Sequence, residues 1–335
     1  MSSVVTRTRS PATSALREIQ APVQDGLEEV FVEMQRIVTA DLPLIQAVSG
    51  HLLQMRGKMF RPTLALLASD VTGKSQPRVT RLAAVVELMH LATLVHDDSV
   101  DHSSLRRGLP TVNSMFSHQI SVIMGDFLYS RALTALVSMR DFEVIKIVTD
   151  VANELTIGEM RQLAAIDALS FTEDDYFALI RAKTASLISG ACASGALCGA
   201  PEFRDALATY GDRLGVAFQI ADDILDYTGD ESVTGKPVGL DLREHKVTLP
   251  LIAALPRVSK AGRSRIDELF AAAEPDDAIL ADVVGIVGEA GGIEAAQQRG
   301  EQCAHDAEEA LRVLPESPAR AALTDAIAYV MDRRS

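Results

Sequence analysis

Apolar residues recur at three- and four-residue spacing along almost the whole chain. The segment LREIQAPVQDGLEEVFVEMQRIV, which starts at Leu16, shows the pattern, and no long run of residues alternates with a period of two. A spacing of three and four places apolar side chains on one face of an α-helix, whereas a half-buried strand requires alternation. The sequence therefore predicts an all-α protein.

The composition also predicts a helical core. Apolar residues make up 47% of the 335 residues, aromatic residues make up only 4%, and tryptophan is absent. Such a core consists mainly of Leu, Ala, Val, Ile and Met, a mixture that favours helices over sheets rich in aromatic and β-branched residues. Segments such as ASLISGACASGALCGA are apolar around most of their circumference, which predicts helices buried inside one bundle.

The chain has no obvious internal boundary, because no linker rich in Pro, Ser or charge divides its middle. We expect a disordered start over residues 1–15 and a single helical domain with a central cavity over residues 16–335. A loop near residues 228–241 is expected to be mobile. No segment has about 20 uncharged apolar residues, so no transmembrane helix is predicted. The three cysteines form no CxxC pair and suit small buried side chains in a reduced, cytosolic protein.

The formal net charge is −14, which argues against nucleic acid or an anionic membrane surface as a general partner. An anionic substrate would have to be bound locally. Metal ions and a few clustered Arg and Lys side chains would supply the positive charge.

Two acidic clusters, HDDSVD and ADDILD, repeat the same spacing. The first and last Asp of each are four residues apart, so they lie on one helix face, where like charges are unfavourable unless a cation lies between them. Mg²⁺ binds one or two carboxylates and fills its other positions with water and phosphate oxygens. One acidic run is often only a solvated helix face, but two identical clusters that follow apolar stretches favour a metal site. The predicted ligands are Asp97, Asp98, Asp101, Asp222, Asp223 and Asp226.

Basic residues near turns are the candidates for direct contact with phosphate. A mixed set suits two diphosphates, because Arg offers a planar fork of donors and Lys a point charge. His90 lies seven residues before Asp97 on nearly the same helix face; a lone His is usually a core residue, but here it could donate to a phosphate. The basic candidates are Lys58, Arg61, Arg106, Arg107, Lys183, Lys236 and Lys246.

These motifs, in this order, resemble those of the trans-prenyl diphosphate synthases, the polyprenyl synthetase family. GKMFRP is similar to the family's GKxxRP element, HDDSVDHSSLRRG and FQIADDILD to its two Asp-rich motifs, and GKPVGLDLREHKVTLP to its closing loop. GEMRQL and KTASL, which lie between the two Asp-rich motifs, match two further elements of the family. The resemblance runs from about residue 50 to the C-terminus and is greatest to bacterial octaprenyl and related long-chain synthases.

The resemblance implies a class I isoprenoid synthase bundle that condenses isopentenyl diphosphate with an allylic diphosphate. It implies that isopentenyl diphosphate is bound by Lys58, Arg61, His90 and Arg107. The allylic diphosphate would be held by three Mg²⁺ on the Asp clusters and contacted directly by Arg106, Lys183, Lys236 and Lys246. Thr184 and Gln219 would lie near the developing carbocation. A cytoplasmic homodimer is also implied.

Two positions depart from the family pattern. Arg56 stands where a second Gly is common, and His245 stands where a Gly often precedes the Lys. Neither change removes a catalytic group, but the first bears on the flexibility of the basic turn.

The helix that carries Asp97 bears on product length. Thr93 lies about one turn below Asp97, and Val86 lies about three turns below it. In the resembled family, a small residue at the position of Ala92 is typical of long-chain members. We therefore expect a product of seven or more isoprene units, unless Met89 or another helix closes the tunnel.

The alternatives are a shorter-chain farnesyl or geranylgeranyl diphosphate synthase, another class I terpenoid enzyme such as a cyclase, a head-to-head condensing enzyme, and a noncatalytic helical subunit. The repeated DDxxD and the basic turn disfavour the cyclase and the head-to-head enzyme. The completeness of both acidic clusters disfavours a noncatalytic role.

Overall fold

The computed structural model describes residues 11–55, 57–164, 168–229 and 238–332, and these are almost entirely helical. In chain order the helices are α1 Pro11–Gln20, α2 Gln24–Ile37, α3 Pro43–Gln54, α4 Phe60–Asp70, α5 Arg78–Val100, α6 Val112–Met115, α7 His118–Ser138, α8 Phe142–Ala164, α9 Glu173–Ile180, α10 Ser186–Leu197, α11 Arg204–Thr228, α12 Leu240–Arg243, α13 Leu249–Ala254, α14 Lys260–Ala271, α15 Asp277–Glu289, α16 Gly292–Leu311 and α17 Pro318–Met331. The fold is therefore all-α, as predicted.

A few short elements connect the helices. Single 3₁₀ turns occupy Ala21–Val23, Ala168–Ser170 and Pro201–Phe203, and a π-helical turn, Arg181–Ala185, joins α9 to α10. The strands β1 (Leu105–Arg106) and β2 (Leu109–Pro110) form an antiparallel hairpin between α5 and α6.

Helix α10 lies at the centre of the bundle. Nearly all of its side chains are buried, and it packs against α4, α5, α8 and α11. Helix α11 also packs against α16, and α5 packs against α7. A smaller apolar cluster, which includes Leu242, Leu251 and Val283, joins helices α12–α15 beside the main core. Of the two segments predicted to be buried inside the bundle, ASLISGACASGALCGA forms the central helix α10, whereas SVIMGDFLYSRALTALVSM forms α7, whose apolar window is only 39% buried.

The beginning of the described chain differs from expectation. Helix α1 starts at Pro11, within the first 15 residues that were predicted to be disordered, and it packs against α17. Residues 1–10 lie outside the described part of the chain. Cys192, Cys198 and Cys303 are all buried and free, as the sequence predicted.

Helices α5 and α7 are long and apolar enough to cross a membrane by length and composition. In the most apolar window of α5, 61% of the residues are buried inside the bundle, and in that of α7 39% are buried. A core helix of a globular protein meets the same criterion, so the two helices are weak grounds for a membrane span.

Close packing of α10 depends on glycine. A Cβ atom added at Gly195 would lie 2.4 Å from the carbonyl oxygen of Ala65 on α4. The contact is with backbone, which cannot rotate away, so a side chain here would push two helices apart.

We expect Gly195→Ala to lower the free energy of unfolding by about 1–3 kcal/mol, because it overpacks the α4–α10 contact. Gly285→Ala is the matched control: Gly285 is exposed in α15 with no atom near its Cβ position, so alanine should stabilise the helix by up to about 1 kcal/mol. Thermal unfolding followed by circular dichroism measures both. Equal midpoints for Gly195→Ala and the wild type would contradict this account of the packing.

Candidate active site

Two neighbouring arginines of the hairpin, Arg106 and Arg107, contact different parts of the site. The turn of the hairpin consists of Arg107 and Gly108, whose φ angles are 52° and 76°, as a two-residue type I′ turn requires. A left-handed conformation costs a non-glycine residue about 1–2 kcal/mol. Arg106 donates from Nε to both carboxylate oxygens of Asp98, at 2.8 and 2.9 Å. Arg107 instead donates from Nη1 to the Met55 carbonyl at 2.8 Å.

Arg107 reaches a cavity of about 460 Å³, here called the basic cavity. The other polar side chains that line it are Lys58, Arg61, Glu87 and His90. Its remaining walls include Phe60, Ile188, Phe218 and Tyr329. The structure thus brings together the four residues that the family resemblance assigned to one diphosphate, Lys58, Arg61, His90 and Arg107.

The basic cavity concentrates positive charge. Burial lowers the pKa of Arg61 against the attraction of Glu87, and the Arg61 Nε is buried with no hydrogen-bond partner among the described residues. Burial and the surrounding Arg charges hold the pKa of His90 well below its ordinary value, so its ring is neutral and can donate one hydrogen bond without carrying a charge. The cavity therefore has free donor capacity for an anion.

Glu87 was missed by the sequence analysis. It is 8% exposed, and burial raises its pKa although Arg61 and Arg107 oppose the shift. A lone acid in the apolar part of α5, ten residues before Asp97, was the available signal. Its negative charge partly balances the positive charges of Arg61 and Arg107.

The first acidic cluster has two kinds of Asp. Burial raises the pKa of Asp97 to about 6; Lys183 opposes the shift, and Glu159 and Asp101 add to it. Asp101 is exposed at the end of α5. Asp98 is only 4% exposed and is bound by Arg106. Asp97 and Asp101 thus lie within electrostatic reach of each other, while Asp98 has a protein partner.

A π-helical turn presents the next two predicted residues. The Lys183 ammonium donates to Glu159 at 3.0 Å and to the Gln162 side-chain carbonyl at 2.9 Å. The Thr184 hydroxyl donates to Gln219 Oε1 at 2.8 Å. Isolated π-turns occur frequently at functional sites, because the extra residue changes which side chains face the site.

The second acidic cluster, like the first, combines a buried Asp that binds protein side chains with Asp residues that are more accessible. Asp223 is 5% exposed and accepts hydrogen bonds from Tyr176 at 2.5 Å and from Gln219 at 2.8 Å. Burial raises its pKa to about 8, and these two hydrogen bonds oppose the shift. Asp222 is exposed, and the Asp226 carboxylate accepts from the amides of residues 240 and 241, both at 3.1 Å. Tyr176, which no sequence signal identified, is therefore part of this cluster's support.

The two clusters are connected electrostatically. Lys246 donates to Glu244 at 2.6 Å; burial lowers its pKa, but Glu244, Asp241 and Asp101 together raise it above the ordinary value. Burial, with Asp226 as the next cause, raises the pKa of Asp241 to about 6. Lys246 therefore lies within electrostatic reach of Asp101 at the first cluster and of Asp241 beside the second. Two further positions named from the sequence, Lys236 and Arg56, lie outside the described residues.

Comparison with known proteins identifies this arrangement. The sequence model of the polyprenyl synthetase family matches residues 42–287. The chain is 37% identical over 319 residues to an all-trans-nonaprenyl-diphosphate synthase (geranyl-diphosphate specific) of Rhodobacter capsulatus, covering 95% of this chain and 98% of that protein. It is 36% identical over 314 residues to the octaprenyl diphosphate synthase of Escherichia coli strain K12, covering 92% and 95%.

A solved structure agrees with the sequence relatives. The crystal structure of a polyprenyl synthase from Caulobacter crescentus, complexed with calcium and isoprenyl diphosphate, superimposes with a TM-score of 0.89. The two chains are 31% identical, and the match covers 96% of this chain and 98% of that one. The chain belongs to the polyprenyl synthetase family.

The family resemblance, the class I isoprenoid synthase fold and the prenyltransferase activity predicted from the sequence are therefore confirmed. The synthase is a chain-elongating prenyl diphosphate synthase. This result decides against the cyclase and the head-to-head condensing enzyme.

The residues predicted to set product length lie in the packed interior of the synthase. Met89 and Val86 are fully buried, and Ala92 is 1% exposed. Thr93 is partly buried and donates its hydroxyl to the His90 carbonyl at 2.8 Å. Ala92 and Thr93 are the small members of this set.

The departure at His245 has a structural counterpart. His245 has a φ of 56°, a conformation that a glycine adopts without strain. Its Nε2 lies 2.9 Å from the Ala272 carbonyl, within hydrogen-bonding distance. This contact holds the left-handed turn just before Lys246.

The absence of a side chain at Gly57 makes room for Arg107. A Cβ atom at residue 57 would lie 2.4 Å from Arg107 Nη1 and 2.8 Å from its Cζ. We expect Gly57→Ala to displace the guanidinium and raise the KM for isopentenyl diphosphate about tenfold, the effect of losing one charged hydrogen bond. Steady-state kinetics with each substrate varied in turn measures this.

Gly50→Ala is the matched control for Gly57→Ala. Gly50 is exposed in α3 with no atom within 4 Å of its Cβ position, so its replacement should leave both KM values unchanged. If Gly57→Ala also leaves the KM for isopentenyl diphosphate unchanged, Arg107 does not bind that substrate.

Proposed function

We propose that the synthase extends an allylic diphosphate by repeated condensation with isopentenyl diphosphate and forms a long-chain trans product. The observation that carries this proposal is the division of charge by the hairpin 105–110, with the basic cavity on one side and the acidic clusters on the other. Two diphosphates can be bound in these two ways, one by Arg, Lys and His directly and the other through metal ions.

We assign isopentenyl diphosphate to the basic cavity. Lys58, Arg61 and Arg107 supply positive charge, and neutral His90 supplies a ring N–H. A diphosphate oxygen would give the buried Arg61 Nε the acceptor that it lacks among the described residues. The rings of Phe60 and Phe218 offer apolar surface to the five-carbon group.

Mg²⁺ fits the acidic clusters. The donors are hard carboxylate oxygens, and burial together with the neighbouring carboxylates disfavours the Asp97 anion unless positive charge is added. Among the described residues no three acidic, His or Cys groups converge on one point. Water and phosphate oxygens would therefore have to complete the shell of an ion bound by one or two carboxylates. The calcium bound in the Caulobacter relative also supports a divalent ion.

Asp97, Asp101 and Asp222 would hold the ions, three in all by the family resemblance, and Asp226 would assist from the end of its cluster. Asp98 and Asp223, which are buried and bind protein side chains, would orient the clusters from behind. When bound, the ions stabilise the negative charge of the departing diphosphate.

The surrounding side chains would assist the reaction in three ways. Lys183, Arg106 and Lys246 lie around the acidic clusters and would bind the allylic diphosphate, as the resemblance also implies for Lys236. The allylic C–O bond breaks, the isopentenyl double bond forms the new C–C bond, and the departing diphosphate accepts the proton that is lost. Thr184 and Gln219 would lie near the cationic carbon, and the apolar walls would exclude the water that would quench it.

We expect purified protein to convert the two diphosphates to a polyprenyl diphosphate only with Mg²⁺. Asp97→Asn should lower kcat about a thousandfold, since charge stabilisation by a bound metal contributes several kcal/mol. Asp150→Asn, which removes an exposed carboxylate on α8, should retain wild-type turnover. Full turnover by Asp97→Asn at saturating Mg²⁺ would refute the metal assignment. A folded wild type without activity would instead favour the noncatalytic alternative.

A long product is supported by the small side chains of Ala92 and Thr93 below Asp97. The growing chain must extend away from the diphosphate, along α5, where Thr93 lies about one turn from Asp97 on nearly the same face. Ala92 points to the side of that face, and its role rests on the family resemblance. The nonaprenyl and octaprenyl synthases to which the chain is similar support the same conclusion. The buried Met89 lies further down the helix.

Phenylalanine at position 92 or 93 should shorten the product, because the ring would occupy the path of the growing chain. The first condensation should slow much less than elongation, since only longer intermediates reach the ring. Thr93→Val is the control, since it removes the hydroxyl but keeps the volume and should keep the product length. Mass spectrometry of the products measures this, and a wild-type product of three or four isoprene units would overturn the proposal.

We also propose that the synthase is a cytoplasmic homodimer that associates through α7. Less than half of the apolar window of α7 is buried within one chain, and its exposed apolar residues include Val122, Ile123 and Val137. A second copy would cover this face. A monomer in sedimentation velocity at micromolar concentration would contradict the dimer.

A further inference from the structure

The C-terminal helix α17 supplies a wall of the basic cavity through Tyr329. This residue is 6% exposed and stands 271 positions after Lys58 in the sequence. Its hydroxyl accepts a hydrogen bond from the Lys58 ammonium at 2.9 Å, and the ammonium lies 5.5 Å from the centre of its ring. The ring of Phe60 packs against it at 5.9 Å between centroids. Tyr329 therefore contacts both the Lys58 ammonium and the ring of Phe60.

Lys58 needs such support because of its location. It is exposed overall and stands in the turn before α4, directly before Met59, whose φ is 52°. A lysine side chain in this position has four rotatable bonds and loses rotamer entropy when it binds an anion. A fixed ammonium has already lost that freedom and binds more tightly.

Helices α1 and α17 hold the backbone and the side chain of Lys58, respectively. The Gln20 side chain on α1 donates to the Lys58 carbonyl at 2.8 Å and to the Thr63 hydroxyl at 3.1 Å. Tyr329 on α17 holds the ammonium. Helices α1 and α17 also pack against each other, so one pair of terminal helices fixes the backbone and the side chain of the same residue.

We propose that Tyr329 is a positioning residue, which holds the Lys58 ammonium toward the basic cavity for the diphosphate of isopentenyl diphosphate. The inference rests on the proposed assignment of that substrate to the cavity. A hydrogen bond and a ring face together restrain the ammonium without neutralising it, so its charge stays available to a phosphate. A carboxylate in place of Tyr329 would compete with the substrate.

Tyr210 offers a matched comparison, because its hydroxyl also forms a hydrogen bond that involves α17. It is fully buried in α11, and its hydroxyl donates to the Leu323 carbonyl of α17 at 2.8 Å. Both tyrosine hydroxyls therefore tie α17 to the bundle, but only that of Tyr329 contacts a cavity cation. Replacing either with Phe keeps the ring and removes one hydroxyl.

The experiment compares Tyr329→Phe and Tyr210→Phe in steady-state kinetics and thermal unfolding. Tyr329→Phe should raise the KM for isopentenyl diphosphate about tenfold and leave the KM of the allylic substrate and kcat unchanged, because only ground-state binding loses its support. Tyr210→Phe should lower the melting temperature and leave both KM values unchanged. The same rise in KM in both variants would show that a general loosening of α17 is responsible, and would overturn the proposal.

A double-mutant cycle with Lys58→Met tests whether Tyr329 acts through Lys58. In the Lys58→Met background, Tyr329→Phe should no longer change the KM for isopentenyl diphosphate. If Tyr329→Phe raises this KM as much in the Lys58→Met background as in the wild type, Tyr329 does not act through Lys58 and the positioning role is wrong. A lower KM in Tyr329→Phe alone would also overturn it, because the tyrosine would then keep the lysine from the substrate. Wild-type protein that forms no product would refute the proposed function itself, whereas active wild type with an unaffected Tyr329→Phe would refute only this inference.

Discussion

The ion pair between Arg106 and Asp98 determines how the site is divided. Asp98 is 4% exposed and adjoins Asp97 on α5, so the pair fastens the hairpin to the helix that carries the first acidic cluster. With Arg106 held on that side, the turn directs Arg107 toward the Met55 carbonyl and the basic cavity. The left-handed conformation of Arg107 persists because contacts on both sides of the turn hold it. One ion pair thereby holds Arg106 at the first acidic cluster and leaves Arg107 to the basic cavity, so that each anion has its own arginine.

The apolar bundle strengthens the interactions of the charges in the basic cavity, but it also makes their burial unfavourable. Arg61 and Arg107 repel each other in the basic cavity, where burial lowers the pKa of both. Removing one partner from a buried charge cluster is strongly destabilising, because it leaves uncompensated charge. Glu87 offsets part of that cost without forming an ion pair closer than 4 Å among the described residues. The cavity can therefore fold without its ligand and still attract a diphosphate, whose interaction is strengthened by the low dielectric of the walls.

Local patterns predicted the helices, the acidic clusters and the basic turn, because each depends on residues close in sequence. The π-turn at Arg181–Ala185 was not predictable, since it arises where α9 and α10 join against α8 and α11. Glu87 could have been suspected as an acid in an apolar helix, but its partners come from two other segments. The contact between Lys58 and Tyr329 joins residues that are 271 positions apart in the sequence. No periodicity links residues so far apart, so tertiary structure alone identifies it.

Helical geometry explains why the two acidic clusters share an internal division that their spacing did not suggest. The first and last Asp of DDxxD lie on one face, but the middle Asp is turned about 100° from the first and so faces the protein. Asp98 and Asp223 are both buried as a result, yet their partners differ. Asp98 meets the charged Arg106, whereas Asp223 meets the neutral donors Tyr176 and Gln219. Identical motifs therefore give unequal clusters, because a charged group binds the buried Asp of the first cluster and neutral groups bind that of the second.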